Sequence, residues 1–348
     1  DEMGGRMQGI NNKEDVRIDV IVPSYNAHKT LRRTLLSVAA QSIADEIDVT
    51  VVDDCSPRGG YAEILAEFQP LLSVRELTLE EDVGPSLARQ RALDQTHNPF
   101  IVFLDSDDTL AGPRSLEEMR AELLADESLA LVSGDFFSAE EHDDGSVSFR
   151  PFRGDMTWLL GNVYRRSFLE ENGIRFIAPR TSEDFGFNTK VRLIAGMERV
   201  LLYKHPAYCW YQLPESATHA DPVRFQYDRN AEDFCETLLD ALHLAIRRGG
   251  DWKEILTTTV YGMMDYFRRY EEAAALLPEA AEKNFAQGVR FYREGYAPVE
   301  AQIPENIFDS QLSLLAGRMT VTRPERDLAR LREDFEAYLS KVAAEVRK

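Results

Sequence analysis

With 348 residues, the chain can bury a full core and exceeds one average domain, so one large domain with an appended part is expected. Hydrophobic residues make up 44% and charged residues 29%, as in an ordinary soluble protein, and no apolar run approaches the ~20 residues a membrane helix needs. Sixty acidic against forty basic residues leave a formal charge of −20, which disfavours a nucleic-acid partner, since polyanions are held chiefly through Lys and Arg. Such acidity draws divalent cations, although most of it reads as solvated surface.

Residues 1–16, DEMGGRMQGINNKEDV, are polar and glycine-bearing without the apolar centre of a secretory signal, and read as a flexible leader. Residues 18–135 then alternate short apolar runs (IDVIVP, IDVTVV, VRELTL, FIVFL, LALVSG) with helical patterns (LRRTLLSVAAQ, YAEILAEFQPLL, SLARQRALDQ, LEEMRAELL). That alternation predicts βαβ units around a largely parallel sheet, with ligands at the carboxyl ends of the strands. Residues 136–156 turn acidic and polar, as a mobile loop or hairpin able to close over a site. A helix opening near TSEDFGFNTKVRLIAG and a strand-like pair, RVLLYK and AYCWYQ, complete the first domain. Beyond about residue 221, long helix-period segments broken by Gly-Gly and Pro-containing turns predict a helical C-terminal region, which could supply a dimer contact or an acceptor platform. The three cysteines, Cys55, Cys209 and Cys235, are far apart with no CxxC pair, which fits a reducing, cytoplasmic setting.

The stretch FIVFLDSDDTL (100–110) sets an Asp-x-Asp directly behind an apolar run. One reading is a haloacid-dehalogenase phosphatase with Asp105 as nucleophile. That chemistry also wants a downstream lysine and an acidic motif, yet no lysine lies between Thr109 and Gly134, and Gly134-Asp135 is followed by Ala139 where a further Asp is needed. The other reading is a metal-bound nucleotide site, in which hard carboxylate oxygens hold Mg²⁺ or Mn²⁺ against a pyrophosphate. A plain acidic turn capping the next helix would also produce these residues.

Five segments in order, VIVPSYNAHKTLRRTLLSVAAQS, VTVVDDCSPRG, VGPSLARQRALD, FIVFLDSDDTL and SEDFGFNTKVRLI, resemble the GT-A glycosyltransferases of family 2 over residues 18–220. The resemblance implies an α/β, Rossmann-like, mostly parallel GT-A domain at 17–220, with a nucleotide-binding half at 17–135 and an acceptor half at 136–220, followed by the helical region at 221–348. It also implies an inverting, Mn²⁺- or Mg²⁺-dependent transfer of one sugar from a UDP-sugar to a saccharide or glycoconjugate hydroxyl, in polysaccharide or glycoconjugate biosynthesis, peripheral at the inner membrane face. By this likeness Pro23, Tyr25 and Asp54 hold the base, with Asp54 accepting from the uracil imide; Asp53 reads as structural. Arg89 lies near the nucleotide, Asp105 near the ribose and Asp107 on the metal, with His219 as a further metal ligand, while Arg91 reads as a surface charge. Trp158, Asn162 and Glu183 fall on the substrate side, and Asp184 is the base that takes the acceptor proton. The competing reading of Asp184 is a capping box with Thr181, where an acid is stabilised without chemistry. The Gln/Arg-x-x-Arg-Trp motif of processive members is absent, WYQLPES standing near its place, which favours single-sugar transfer. A nucleotide-sugar-binding protein without catalysis is the remaining alternative.

Overall fold

The computed structural model describes residues 16–142, 144–213, 221–319, 322 and 327–348, and the chain divides into two compact units. The first comprises residues up to Ala178 together with Met197–Gln212; the second comprises Pro179–Gly196 and Leu213–Lys348.

In the first unit β1 (Ile18–Ser24), β2 (Ile47–Asp53), β3 (Ser73–Thr78) and β4 (Phe100–Phe103) pair in parallel in the order β3-β2-β1-β4. β1 is buried along its whole length, as expected of a strand covered on both faces, and this is why its sequence is a continuous apolar run. The connecting helices are α1 (Leu31–Ala39), α2 (Ala62–Phe68) and α3 (Gly84–Leu93). Beyond β4 the sheet becomes mixed through β8 (Asn162–Arg165), β6 (Leu131–Glu141), β9 (Val200–Tyr211) and β5 (Thr109–Leu110), while β7 (Val147–Phe152) pairs with β6 as a hairpin. The acidic stretch after residue 136 is thus a hairpin. RVLLYK and AYCWYQ form one strand, β9, whose pairing with β6 shifts register between Gly134 and Phe136. α4 (Ser115–Ala125) and α5 (Arg166–Asn172) complete the unit.

A buried ion pair stands near the amino ends of the strands. Arg166 donates to Asp19 at 2.8 Å and also to the Asn98 carbonyl and Thr96 Oγ1, so the charge is both paired and hydrogen-bonded.

The second unit is helical: α6 (Glu183–Ala195), α7 (Pro222–Arg224), which runs through a π-turn into α8 (Asn230–Arg248), α9 (Trp252–Leu276), α10 (Pro278–Phe291), α11 (Glu305–Arg318) and α12 (Leu328–Val346). The division falls elsewhere than the predicted boundary near residue 220, because Phe185 and Leu193 of α6 are buried in the same core as Phe234, Leu238 and Leu242 of α8. Gly186 makes this approach possible: a Cβ there would meet the Thr237 Cβ at 2.7 Å.

Candidate active site

The carboxyl ends of β1, β2 and β4 carry the residues singled out from the sequence. The chain leaves β1 and β2 through two non-glycine residues in the left-handed region, Asn26 (φ 54°) and Cys55 (φ 59°). Such backbone is uncommon and persists only where surrounding bonds over-determine it. Here Asp53 accepts from the Ser56 amide, Ser56 Oγ accepts from the Asn26 amide and pairs with the Tyr61 hydroxyl, and that hydroxyl accepts from the Ala27 amide. Asp53 is therefore structural. Pro23 is buried at the end of β1 and Tyr25 stands half exposed just beyond it.

Asp54 is buried, and its two carboxylate oxygens accept from the Val83 and Gly84 amides at 2.8 Å each, which fixes the start of α3. Its first task in the fold is thus to satisfy helix-end donors. On α3, Arg89 is buried and donates to Asp105 Oδ1 at 2.6 Å, whereas Arg91 is exposed. This ion pair, which the sequence did not disclose, anchors the exit from β4.

The acidic triplet divides into two kinds of group. Asp108 is 1% exposed, accepts from the Tyr208 hydroxyl at 2.7 Å and the Tyr211 amide at 2.8 Å, and its backbone carbonyl accepts from the Thr34 hydroxyl. Burial, then the charges of Asp105 and Asp107, push its carboxyl well above the usual range. The Tyr208 hydroxyl also accepts from the Asp105 amide, so one buried tyrosine bridges both flanks of the turn. Asp105 and Asp107 remain partly exposed. Burial and the neighbouring Asp105 charge push the Asp107 carboxyl up to about 6, with Arg33 and Arg89 pulling the other way.

The partly exposed carboxylates of Asp105 and Asp107, with Asp108 committed to the protein, are hard oxygen donors that fit a Mg²⁺ or Mn²⁺ ion completing its shell from phosphate and water. Among the described residues no group of three or more His, Cys, Asp and Glu gathers around one point, so these residues alone do not enclose an ion. His219 lies outside the described residues.

Arg33, Thr34, Tyr208 and Tyr211 were not singled out from the sequence. Arg33 donates to the Asp107 carbonyl and lies over the Tyr211 ring, 3.5 Å from its centroid; its buried Nε has no hydrogen-bond partner. One signal was present: Arg32 and Arg33 fall in the first turn of α1, where cations oppose the helix dipole. Arg32 pairs with Glu67, and Arg33 serves the acidic loop.

Trp158, in the connection from β7 to β8, is 39% exposed and offers an indole face. Asn162 is a correction: it is 1% exposed, and its amide donates to the Trp158 carbonyl and the Tyr164 hydroxyl. It supports the Trp158 turn from beneath and presents no surface to an acceptor.

In the second unit, Glu183 and Asp184 occupy the first turn of α6, both partly exposed. The predicted capping box does not form. Thr181 instead gives its hydroxyl and amide to Asp233 Oδ2, and Ser182, at φ 59°, opens the helix without a side-chain cap. Asp184 Oδ1 accepts from the adjacent Phe185 amide at 2.7 Å.

The family model described as glycosyl transferase family 2 matches residues 19–182. Residues 19–182 therefore carry a glycosyl transferase family 2 domain. Among relatives, the chain is 27% identical over 234 residues to the poly(ribitol-phosphate) beta-N-acetylglucosaminyltransferase TarS of Staphylococcus aureus, covering 64% of the chain and 39% of TarS. It is 31% identical over 123 residues to WfgD of Escherichia coli, a UDP-Glc:alpha-D-GlcNAc-diphosphoundecaprenol beta-1,3-glucosyltransferase, covering 35% and 47% of the two chains. The chain thus spans less than half the length of these curated relatives. The crystal structure of S. aureus TarS 1–349 with UDP-GlcNAc has a TM-score of 0.66 at 19% identity, over 93% of this chain and 92% of that one. The likeness of fold therefore extends into the helical region, which the sequence motifs left uncovered. A family 2 domain displaces the phosphatase reading of FLDSDDTL, and Asp105 is engaged by Arg89.

Proposed function

We propose that the chain transfers a single sugar from a UDP-sugar to the hydroxyl of a saccharide or glycoconjugate, with inversion and with Mg²⁺ or Mn²⁺, in the biosynthesis of a polysaccharide or related glycoconjugate. The observation that carries the donor side is the division of labour in the Asp105–Asp108 turn. Asp108 is consumed by Tyr208 and Tyr211, which holds Asp105 and Asp107 at the carboxyl ends of parallel strands with oxygen left for a ligand. Bound there, the ion would offset the negative charge of the departing diphosphate. Arg89 fixes Asp105 for the ribose, and Arg33, with its unmatched Nε, adds a second guanidinium at the same turn.

Tyr25, half exposed beside Pro23, suits stacking on the base. Asp54 would accept the uracil imide N–H. The WfgD relative, which takes UDP-Glc, supports uridine, and its role and that of TarS on bacterial glycoconjugates support the acceptor class. Trp158 would lie against the acceptor sugar, and Asp184, with Glu183 beside it, would take the proton of the attacking hydroxyl. Position at the helix start favours negative charge on that carboxylate. For localisation, no described helix is long and apolar enough to cross a membrane; cytoplasmic work at the inner membrane face is part of the proposal.

The test is release of UDP from UDP-GlcNAc and UDP-Glc with Mn²⁺ in the presence of saccharide acceptors. Asp184→Asn should lower acceptor-dependent turnover by at least about 10²-fold, the scale of general-base catalysis, while leaving UDP affinity unchanged. Turnover unchanged in Asp184→Asn would remove Asp184 from the mechanism.

A further inference from the structure

A concave feature of the first unit that the donor reading leaves unused lies beside the hairpin. It is a cleft of about 490 Å³, lined on the hairpin side by Phe137, Pro151 and Arg153 and on the β9 side by Leu202, Lys204 and Pro206. Its volume falls in the range of about 300–1,000 Å³ usual for small-ligand sites. The cleft opens where β9 shifts register against β6, between Gly134 and Phe136.

Strand directions place it at the functional end of the sheet. β8 runs antiparallel to β4, and β6 antiparallel to β8, so β6 runs with β1, β2 and β4. β8 covers β6 only at Leu131–Ser133. The rest of β6, with β7, therefore projects beyond the carboxyl end, the end that carries Asp54 and Asp105. The connection that follows β7 contributes Arg153 and then Trp158.

The charge of the cleft runs against that of the chain. Arg153 and Lys204 are both exposed, and among the described residues neither makes an ion pair. The carboxylate that lines the cleft, Asp135, accepts from the Gly154 amide at 2.9 Å, and nearby Asp155 accepts from the Thr157 amide, so both acids are occupied in the turn. A chain with a net charge of −20 has abundant acid with which to neutralise two cations, and here it does not. A guanidinium fork and an ammonium above an apolar wall of Phe137, Pro151, Leu202 and Pro206 suit a ligand with an anionic group joined to a hydrocarbon or sugar face.

We propose that this cleft binds a phosphate-bearing part of the acceptor, so that the acceptor is an anionic saccharide or polyol derivative and Arg153 and Lys204 hold its phosphate. The inference rests on the glycosyl-transfer reading and adds to it the charge of the substrate.

The experiment uses the full chain and ligand-observed NMR, with sn-glycerol 3-phosphate and glycerol as probes, with and without saturating UDP and Mg²⁺. Wild type should bind glycerol 3-phosphate in both conditions and glycerol in neither. The double variant Arg153→Ala/Lys204→Ala should bind the phosphate about tenfold more weakly, with UDP affinity and thermal midpoint unchanged, while Arg91→Ala should match wild type. Equal phosphate binding by the double variant and wild type would overturn the proposal, as would equal binding of glycerol and its phosphate. Phosphatidylglycerol vesicles retained through Arg153 and Lys204, with no binding of soluble glycerol 3-phosphate, would assign the cleft to a membrane surface and overturn it too. Phosphate binding that needs both cations in a protein that fails to bind UDP would fault the donor reading and leave the cleft standing.

Discussion

Tyr208→Phe removes one oxygen from the fully buried centre of the candidate donor site and leaves the ring in place. That hydroxyl donates to Asp108 Oδ2 at 2.7 Å and accepts from the Asp105 amide at 3.2 Å. The first bond goes to an acidic group and is worth about 1.5–3 kcal/mol, and an amide orphaned in a buried site costs about 1–3 kcal/mol. The second bond is long, so the lower end applies to it, and the total is roughly 2–4 kcal/mol. For a unit of this size that corresponds to a fall in thermal midpoint of about 5–15 °C. Donor affinity should fall as well, because the two ends of the Asp105–Asp108 turn lose their common tie to β9. The assays are urea denaturation and a UDP titration with Mn²⁺ on the same preparation. A stability change under about 0.5 kcal/mol, or a destabilised variant with unchanged metal-dependent UDP affinity, would refute the idea that β9 sets the acidic turn.

Other outcomes follow from the same physics. Arg166→Met strands the buried Asp19 carboxylate and should cost about 3–5 kcal/mol, whereas Arg166→Met/Asp19→Leu should recover most of it; equal denaturation midpoints for the single and double variants would contradict this. Acid sensitivity should come partly from Asp48: burial pushes its carboxyl up, but hydrogen bonds from Arg17, Ser73 and Asn98 outweigh this and hold it at about 2. A depressed acid stabilises the fold above its unfolded value of about 3.9, and that contribution is lost as pH falls from about 4 to about 2. Because the Asp48 side chain is 34% exposed, the loss should be about 1 kcal/mol, read as the difference in urea stability between wild type and Asp48→Asn at pH 6 and pH 2.5.

Much of the donor half was legible because its signals are local. Apolar runs gave β1, β2 and β4, and the residues just beyond them gather at the carboxyl ends of those strands. What sequence could not disclose depends on partners far along the chain. Asp108 is separated from Tyr208 and Tyr211 by about a hundred positions, so nothing near FLDSDDTL told the committed acid from the two available ones. Asn162 looked like a surface amide because its burial is imposed by Tyr164 and the Trp158 turn. α6 follows the sheet domain in sequence, yet its apolar face, with Gly186 against Thr237, packs with the C-terminal helices. Helical periodicity shows that a face is buried and is silent on which core receives it.

The central claim is a metal-dependent uridine diphosphate site built on Asp105 and Asp107. Calorimetric titration of UDP, with GDP and CDP as competitors, on wild type and Asp107→Ala, with Mn²⁺ and with chelator, tests it most directly. The account predicts UDP binding that requires Mn²⁺, exceeds that of GDP and CDP, and falls by at least about tenfold in Asp107→Ala. UDP binding that is equal with chelator and in Asp107→Ala, or the absence of nucleotide binding under any of these conditions, would contradict it.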